Sequence, residues 1–224
     1  MKTALYIVPT PIGNCEDITL RAIRVLKEVD FIICEEYKPA YRLLSKYNIE
    51  KELISLNEHN EKEVSREIAN KILEGKNAAL ISDAGTPLFS DPGHLLVDLC
   101  ISYKIKIVPL PGANSILPAL VASGLNINNF YYYGWLSPKK EIRKNQLRKL
   151  KSLKELIIIL ETPYRLKRLL NDIIKHFGPG QFIVLAYKLT MKEEKIFRDS
   201  ASMVLQEVEK ENLKGEFVLL LDNR

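Results

Sequence analysis

The sequence predicts an α/β protein of two domains, with a parallel sheet in the N-terminal domain and a mixed sheet in the C-terminal one. Short apolar runs of strand length alternate with segments of helical periodicity, as in proteins whose helices connect parallel strands. Turns rich in glycine and proline follow three of these runs, and the composition changes after Gly112. The 224 residues fit one large domain or two small ones. We expect domains at 1–113 and 114–224 that pack face to face around a cleft.

Four apolar runs are expected to form the first sheet, at 4–8, 30–34, 78–81 and 105–109. Asn14 or Asp17 is expected to cap the helix that follows the first run. Asp91-Pro92 has the pattern of an N-cap followed by a proline in the first helical turn, and Gly75 has that of a C-cap. These signals support helices between parallel strands.

The second domain is expected to contain strands at 156–160, 182–187 and 217–221. Thr162-Pro163 predicts the start of a helix after the first of these strands, and Gly178 predicts its end. This half therefore contains at least one β-α-β unit.

The composition excludes several classes of protein. Three scattered cysteines, Cys15, Cys34 and Cys100, form no C-x-x-C pair, which argues against a disulfide framework or a zinc site and predicts a reducing cytoplasm. We find neither a signal peptide nor an apolar run near the roughly 20 residues that a membrane helix needs. We expect no metal and no membrane association.

Three loops are candidates for a small-molecule site. They are 9–14, 82–87 and 112–115, and each follows a predicted parallel strand. Because the carboxyl ends of parallel strands meet at one edge of a sheet, these loops should converge there. Each loop alone could be a simple strand-to-helix connection. Neither G-x-G-x-x-G nor a Gly-Lys-Ser/Thr phosphate loop is present.

Long motifs in these loops carry a family resemblance. They are Val8-Pro-Thr-Pro-Ile-Gly-Asn-Cys-Glu-Asp-Ile-Thr-Leu-Arg-Ala22, Ser82-Asp-Ala-Gly-Thr-Pro-Leu-Phe-Ser-Asp-Pro-Gly93 and Pro109-Leu-Pro-Gly112. Further matches are Tyr133-Gly-Trp-Leu136, Glu161-Thr-Pro-Tyr-Arg-Leu166 and Gly215-Glu-Phe217. Together they resemble the tetrapyrrole methylase superfamily, and within it the branch that methylates small-subunit ribosomal RNA. The resemblance spans nearly the whole chain.

The resemblance implies a two-domain methyltransferase that binds S-adenosylmethionine, forms a homodimer, and acts on RNA or the small ribosomal subunit, not on DNA. In this branch the accepting group is the 2'-hydroxyl of a cytidine ribose. Carried over by position, the cofactor contacts would be Pro11, Ile12, Ser82, Asp83, Ala84, Gly85, Ala113, Asn114, Tyr133, Gly134, Gly215 and Phe217.

A ribose hydroxyl is a poor nucleophile, so a group should accept its proton as the new bond forms. Glu35 and Glu36 follow the second predicted strand and are candidates for this role or for positioning the substrate. His59 is a third candidate, because the ribosomal branch carries a similar His-Asn segment at this place. Asp83 and Glu161 rank behind these three. The two glutamates could also be solvated charges at a strand end.

A basic segment at 139–154 is the candidate RNA contact. Lys140, Arg143, Lys144 and Arg148 recur at helical spacing and could line one helix face, with Ile142 and Leu153 roughly opposite. A solvated helix face is the alternative. Nearby aromatic residues, Tyr131, Tyr132 and Trp135, could stack a base or belong to the core.

The chain departs from the ribosomal branch where substrate contacts are expected. It has Glu35-Glu-Tyr-Lys38 in place of Glu-Asp-Thr-Arg, and Tyr187-Lys-Leu-Thr-Met191 in place of Arg-Glu-Leu-Thr-Lys. It also reaches Arg224 without the small helical extension of many members. A related methyltransferase with another substrate, or a protein that binds cofactor and RNA without turnover, therefore stays as an alternative.

Overall fold

The computed structural model describes residues 3–89 and 91–224. The chain forms two compact units, Met1–Asn114 and Ser115–Arg224.

The first unit is built on a parallel sheet of five strands. Their order is β3-β2-β4-β1-β5, and every pair of neighbours runs parallel. The strands are β1 (Ala4–Val8), β2 (Phe31–Cys34), β3 (Glu52–Ser55), β4 (Ala78–Ile81) and β5 (Lys106–Pro109). The helices are α1 (Leu20–Glu28), α2 (Tyr37–Lys46), α3 (Glu61–Leu73) and α4 (His94–Ser102). All strands therefore end at one edge of the sheet.

Helices cover both faces of this sheet. Side chains from α1 and α2 pack on one face, where Ile32 and Cys34 point, and side chains from α3 and α4 pack on the other, where Phe31 and Ile33 point. Burial on both faces explains why the central strands are continuous apolar runs.

Helix starts in this unit differ from two of the sequence predictions. The hydroxyl of Thr19 caps α1 by accepting a hydrogen bond from the amide of Ala22 at 3.0 Å, whereas Asn14 caps a short 3-10 helix at Cys15–Asp17. Helix α4 begins at His94 after Gly93, so the prediction of an Asp91 cap is wrong. The Glu61 carboxylate caps α4 instead, because it accepts from the amides of Gly93 at 2.8 Å and Leu95 at 3.1 Å. Such side-chain acceptors satisfy the first amides of a helix.

The second unit is built on a mixed sheet with the order β6-β7-β10-β8-β9. Strands β6 and β7 are parallel, and the other neighbours are antiparallel. The strands are β6 (Tyr131–Trp135), β7 (Leu156–Leu160), β8 (Phe182–Tyr187), β9 (Lys195–Ser200) and β10 (Phe217–Asp222). The helices are α5 (Ile116–Ser123), α6 (Lys140–Ser152), α7 (Leu166–Phe177) and α8 (Ala201–Lys210). The two sheets confirm the predicted α/β fold class.

One core fills the face of this sheet that α6, α7 and α8 cover. It includes Leu147 and Leu150 of α6, Leu169 and Ile173 of α7, and Val204 of α8. Gly178 caps the end of α7, as the sequence predicts, and a 3-10 turn at Pro163–Arg165 precedes this helix.

Candidate functional site

The loops that follow β1, β4 and β5 are joined by hydrogen bonds. Thr10 and Gly85 exchange two main-chain hydrogen bonds of 2.9 and 3.0 Å. The Thr10 hydroxyl donates to the carbonyl of Ser82 at 3.0 Å, and the Ser82 hydroxyl donates to that of Gly85 at 2.9 Å. The Thr86 hydroxyl donates to the carbonyl of Ala113 at 3.1 Å. These bonds confirm that the three loops converge.

Two glycines allow this close approach. Gly85 has a φ of +83°, a left-handed conformation that side chains disfavour, and a Cβ there would lie 3.3 Å from Cγ2 of Ile12. A Cβ on Gly112 would lie only 2.6 Å from Cβ of Pro9. Both positions therefore require the smallest residue for the loops to meet.

The edge where these loops meet is also a topological switch point. Strands β1 and β4 are neighbours, yet α1 packs on one face of the sheet and α4 on the other. In open parallel sheets a ligand binds beyond the carboxyl ends of the strands at such a point. Around it lie Pro11 and Ser82, which are buried, Ile12, Ala113 and Asn114, which are partly buried, and Asp83 and Ala84, which are exposed.

Acidic side chains cluster at the same edge. Burial raises the pKa of Glu35, and the charges of Asp83, Asp91, Glu36 and Glu58 raise it further. Partial removal from water raises the pKa of Asp83, and the charge of Glu36 raises it further. Partial burial and the charge of Asp83 raise the pKa of Asp91 in the same way. Burial and then Asp83 also raise the pKa of the Cys34 thiol, to about 11. The edge therefore has a negative electrostatic potential, and a positively charged ligand would reduce the repulsion between its carboxylates.

The third candidate for proton transfer lies at the end of β3 on this edge. His59 is exposed in a turn in which the Asn57 side chain accepts a hydrogen bond from the His59 amide at 3.0 Å. The Ser55 hydroxyl, one turn earlier, donates to the carbonyl of Glu35 at 2.8 Å. The structure thus brings Glu35, Glu36 and the turn of His59 to the edge that holds the three loops.

The candidate cofactor contacts of the second unit lie at two places, in β6 and at the start of β10. Gly134 has a φ of +80° and follows a register shift in the pairing of β6 with β7, so the chain bulges at Tyr133. Burial raises the pKa of the Tyr133 hydroxyl. Gly215 is buried, and a Cβ there would lie 2.6 Å from Cε of Lys188. Phe217 pairs with Tyr187, and its ring belongs to the core.

The burial of Arg143 contradicts its predicted role as an RNA contact. Its side chain is 4% exposed, and its guanidinium lies 2.8 Å from the Asp172 carboxylate of α7. Helix α6 turns the stripe of Arg143, Leu147 and Leu150 to the core, whereas Ile142 is 48% exposed. An arginine buried in an ion pair between two helices stabilises their packing and leaves no group for a phosphate.

The other basic residues of α6 remain accessible. Lys140 and Arg148 are exposed, and Lys144 is partly exposed. Tyr131 and Trp135 of β6 are 45% and 43% exposed.

The remaining catalytic candidate, Glu161, is buried, and its carboxylate accepts a hydrogen bond from the amide of Thr162 at 2.9 Å. The same carboxylate lies 3.4 Å from the guanidinium of Arg165, so Glu161 is engaged within its own turn.

Sequence reasoning missed three residues of the sheet edge. The sequence predicts Asp91 only as a helix cap and gives no role to Glu58, although the charges of both raise the pKa of Glu35. Thr10 is a buried hydroxyl that ties two loops together. Their positions beside motif residues after predicted strands could have indicated all three.

Cys15 is partly exposed, Cys34 and Cys100 are buried, and all three are thiols. Within 3–89 and 91–224, no group of three His, Cys, Asp or Glu side chains is placed to hold a metal ion. In the same ranges, helices long and apolar enough to cross a bilayer are absent.

Comparisons with known proteins place this geometry in context. The family model described as Tetrapyrrole (Corrin/Porphyrin) Methylases matches residues 4–204. The chain is 43% identical over 221 residues to ribosomal RNA small subunit methyltransferase I of Buchnera aphidicola subsp. Schizaphis graminum, covering 97% of this chain and 78% of the relative. It is 41% identical over 218 residues to the protein of the same name from Bacillus subtilis, covering 97% and 74%.

Solved structures of lower identity share the fold. Cobalt precorrin-4 methyltransferase aligns with a TM-score of 0.73 at 17% identity, covering 98% of this chain and 95% of that chain. Uroporphyrin-III C-methyl transferase from Thermus thermophilus, in complex with S-adenyl homocysteine, aligns with a TM-score of 0.65 at 16% identity, covering 97% and 96%.

Proposed function

We propose a function from one premise: this chain belongs to the tetrapyrrole (corrin/porphyrin) methylase family, whose members are S-adenosylmethionine-dependent methyltransferases. The chain is therefore an enzyme of that class. Its proposed substrate is small-subunit ribosomal RNA, methylated on the 2'-hydroxyl of a cytidine ribose. The names of the relatives at 41 to 43% identity support this choice over a tetrapyrrole.

The observation that carries the proposal is the acidic edge of the parallel sheet at the switch point. S-adenosylmethionine carries a positive sulfonium and a positive ammonium group. Glu35, Asp83 and Asp91 repel one another there, and burial disfavours their charged forms. A cationic ligand would relieve that repulsion, so the residues present fit the cofactor. When bound, the cofactor supplies the methyl group.

We assign cofactor contacts to the loops that follow β1, β4 and β5. They are Pro11, Ile12, Ser82, Asp83, Ala84, Gly85, Ala113 and Asn114. For Tyr133, Gly134, Gly215 and Phe217 of the second unit, the family resemblance alone supports the same role. The hydrogen bonds between Thr10, Ser82 and Gly85 support this assignment, because they hold the loops in one arrangement. Holding two reactants in line can lower a barrier by roughly 7 to 11 kcal/mol.

Glu35 is the proposed acceptor of the ribose proton. Its raised pKa makes it a stronger base than an ordinary carboxylate. Glu36 and His59 lie on the same sheet edge and are the alternatives for this role or for substrate positioning.

RNA contact is assigned to the exposed basic residues of α6. Lys140, Lys144 and Arg148 would neutralise phosphates, and Arg143 supports them indirectly by pairing with Asp172. We also propose that the natural substrate is the small ribosomal subunit, that the enzyme is a homodimer and that it is cytoplasmic.

The test is transfer of labelled methyl from S-adenosylmethionine to small subunits purified from cells that lack this protein. Subunits from cells that contain it are the matched control, since their target should already be methylated. We expect label only on the first substrate, on a cytidine ribose. No label, with cofactor binding intact by calorimetry, would refute the RNA assignment and favour another substrate or a non-catalytic role.

A further inference from the structure

Helix α2 has an exposed face on which aromatic and basic side chains alternate. Tyr37 and Tyr41, one turn apart, are 48% and 56% exposed, and their ring centroids are 6.4 Å apart with planes tilted by 32°. Lys38 and Arg42, also one turn apart, are exposed beside them. Helix α2 packs on the sheet through Ala40 and Leu44, so its core contact uses a different face.

This face begins at the proposed reaction centre. Tyr37 comes two residues after Glu35, and its hydroxyl accepts a hydrogen bond from the Ser55 amide at 3.3 Å. The Ser55 hydroxyl in turn donates to the carbonyl of Glu35 at 2.8 Å. The ring of Tyr37 is therefore braced against the end of β3, at the same sheet edge as Glu35.

Exposed tyrosines interleaved with cations fit one class of ligand particularly well. Single-stranded nucleic acid stacks its bases on aromatic rings and places its phosphates at lysine and arginine. Helix α2 itself contains no acidic residue, whereas the sheet edge beside it is acidic. The edge would repel phosphates, and α2 would attract them. This division directs the backbone to the helix and leaves the ribose at the acidic edge.

We infer that the exposed face of α2 binds a single-stranded segment of the substrate RNA. Bases stack on Tyr37 and Tyr41, and flanking phosphates lie at Lys38 and Arg42. The inference rests on the proposed function, since it names the part of the protein that presents the target nucleotide to Glu35.

Two tyrosine variants test the stacking. Y37A/Y41A removes both rings, and Y37F/Y41F keeps the rings but removes the hydroxyl that contacts Ser55. Y103A is the control for loss of an exposed tyrosine, because Tyr103 is 45% exposed and follows α4, at the opposite end of the strands. Affinity for an unstructured single-stranded RNA oligonucleotide is measured by fluorescence anisotropy. Methyl transfer to subunits from cells lacking the protein is measured with the same variants.

We expect Y37A/Y41A to lose about tenfold or more in oligonucleotide affinity and in kcat/KM on subunits, with cofactor affinity unchanged. Y37F/Y41F and Y103A should stay within about twofold of the unsubstituted protein. K38E/R42E should weaken RNA binding and flatten its dependence on salt.

The outcomes separate this inference from the proposed function. Unchanged oligonucleotide affinity in Y37A/Y41A would refute the inference, and if methyl transfer to subunits fell nonetheless, the tyrosines would contact a ribosomal protein. An equal loss in Y37F/Y41F would also refute stacking, because the rings remain. Ring-dependent RNA binding without methyl transfer by the unsubstituted protein would refute the proposed function alone.

Discussion

Replacing Gly112 with alanine should displace the loop that follows β5. The added Cβ would lie 2.6 Å from Cβ and 2.9 Å from Cγ of Pro9, whereas ordinary contacts begin near 3.4 Å. Pro9 belongs to the loop after β1, and its ring cannot rotate away. One of the two loops must therefore move by about 0.8 Å, the difference between 3.4 and 2.6 Å.

A displacement of that size affects stability and catalysis differently. Overpacking of this kind costs roughly 1 to 3 kcal/mol of the free energy of unfolding. A misplacement of about 1 Å in a group that positions reactants can lower the rate by roughly 100-fold. Ala113 and Asn114 follow Gly112 directly, so we expect a fall in kcat of between tenfold and 100-fold and weaker cofactor binding.

The matched control is G180A, since a Cβ on Gly180 would meet no atom within 4 Å. Both variants are compared by urea unfolding, by calorimetry with S-adenosylmethionine and by methyl transfer. G180A should be neutral or slightly stabilising. If G112A bound cofactor and transferred methyl as G180A does, the loops would not need to meet at Gly112 and the site assignment would lose its structural basis.

Three further perturbations follow from the ion pair, the basic helix and the acidic edge. R143M leaves the Asp172 carboxylate without its cation and should cost roughly 1 to 3 kcal/mol in urea unfolding; an unchanged midpoint would mean that the pair is not stabilising. R148A should weaken RNA binding and reduce the slope of log affinity against log salt by about 0.7 to 0.9, and a constant slope would exclude a phosphate contact. Glu35 has a pKa raised above its ordinary value of 4.5, so its ionised form costs stability above that pH and the cost disappears below it. E35Q should therefore raise the Tm of the cofactor-free protein at pH 7, with the difference shrinking toward pH 4; a difference independent of pH would contradict this reasoning.

The sequence predicted the central strands of both sheets and the edge strand β5, but missed the other three edge strands. Strands β3, β6 and β9 lie at sheet edges, and their side chains are mostly half-buried or exposed. A strand at the edge of a sheet is less covered by helices, so it can lack the apolar run by which a central strand such as β4 is recognised. Strand β5 is at an edge too, but the run at 105–109 is apolar enough to predict it. Strands β3, β6 and β9 were not predicted because their sequences lack this apolar pattern.

The sequence also predicted the convergence of the three loops, because parallel topology alone brings strand ends together. It could not predict the burial of Arg143. Basic residues occur on several sides of α6, and the apolar residues 142, 147, 150 and 153 do not form a single stripe. Only packing against α7, where Asp172 is available, decides which stripe turns inward. The raised pKa of Glu35 could not be predicted for a similar reason, since it depends on acidic side chains from separate loops.

The paired hydrogen bonds between Thr10 and Gly85 have a consequence for how the enzyme can diversify. They make the ends of β1 and β4 a preorganised half of the sheet edge, whose ordering is completed during folding and not upon binding. The ends of β2 and β3, with α2, form the other half. On the proposed assignment, residues on α2 can change and alter which nucleic acid segment is accepted, while the preorganised half continues to bind the methyl donor.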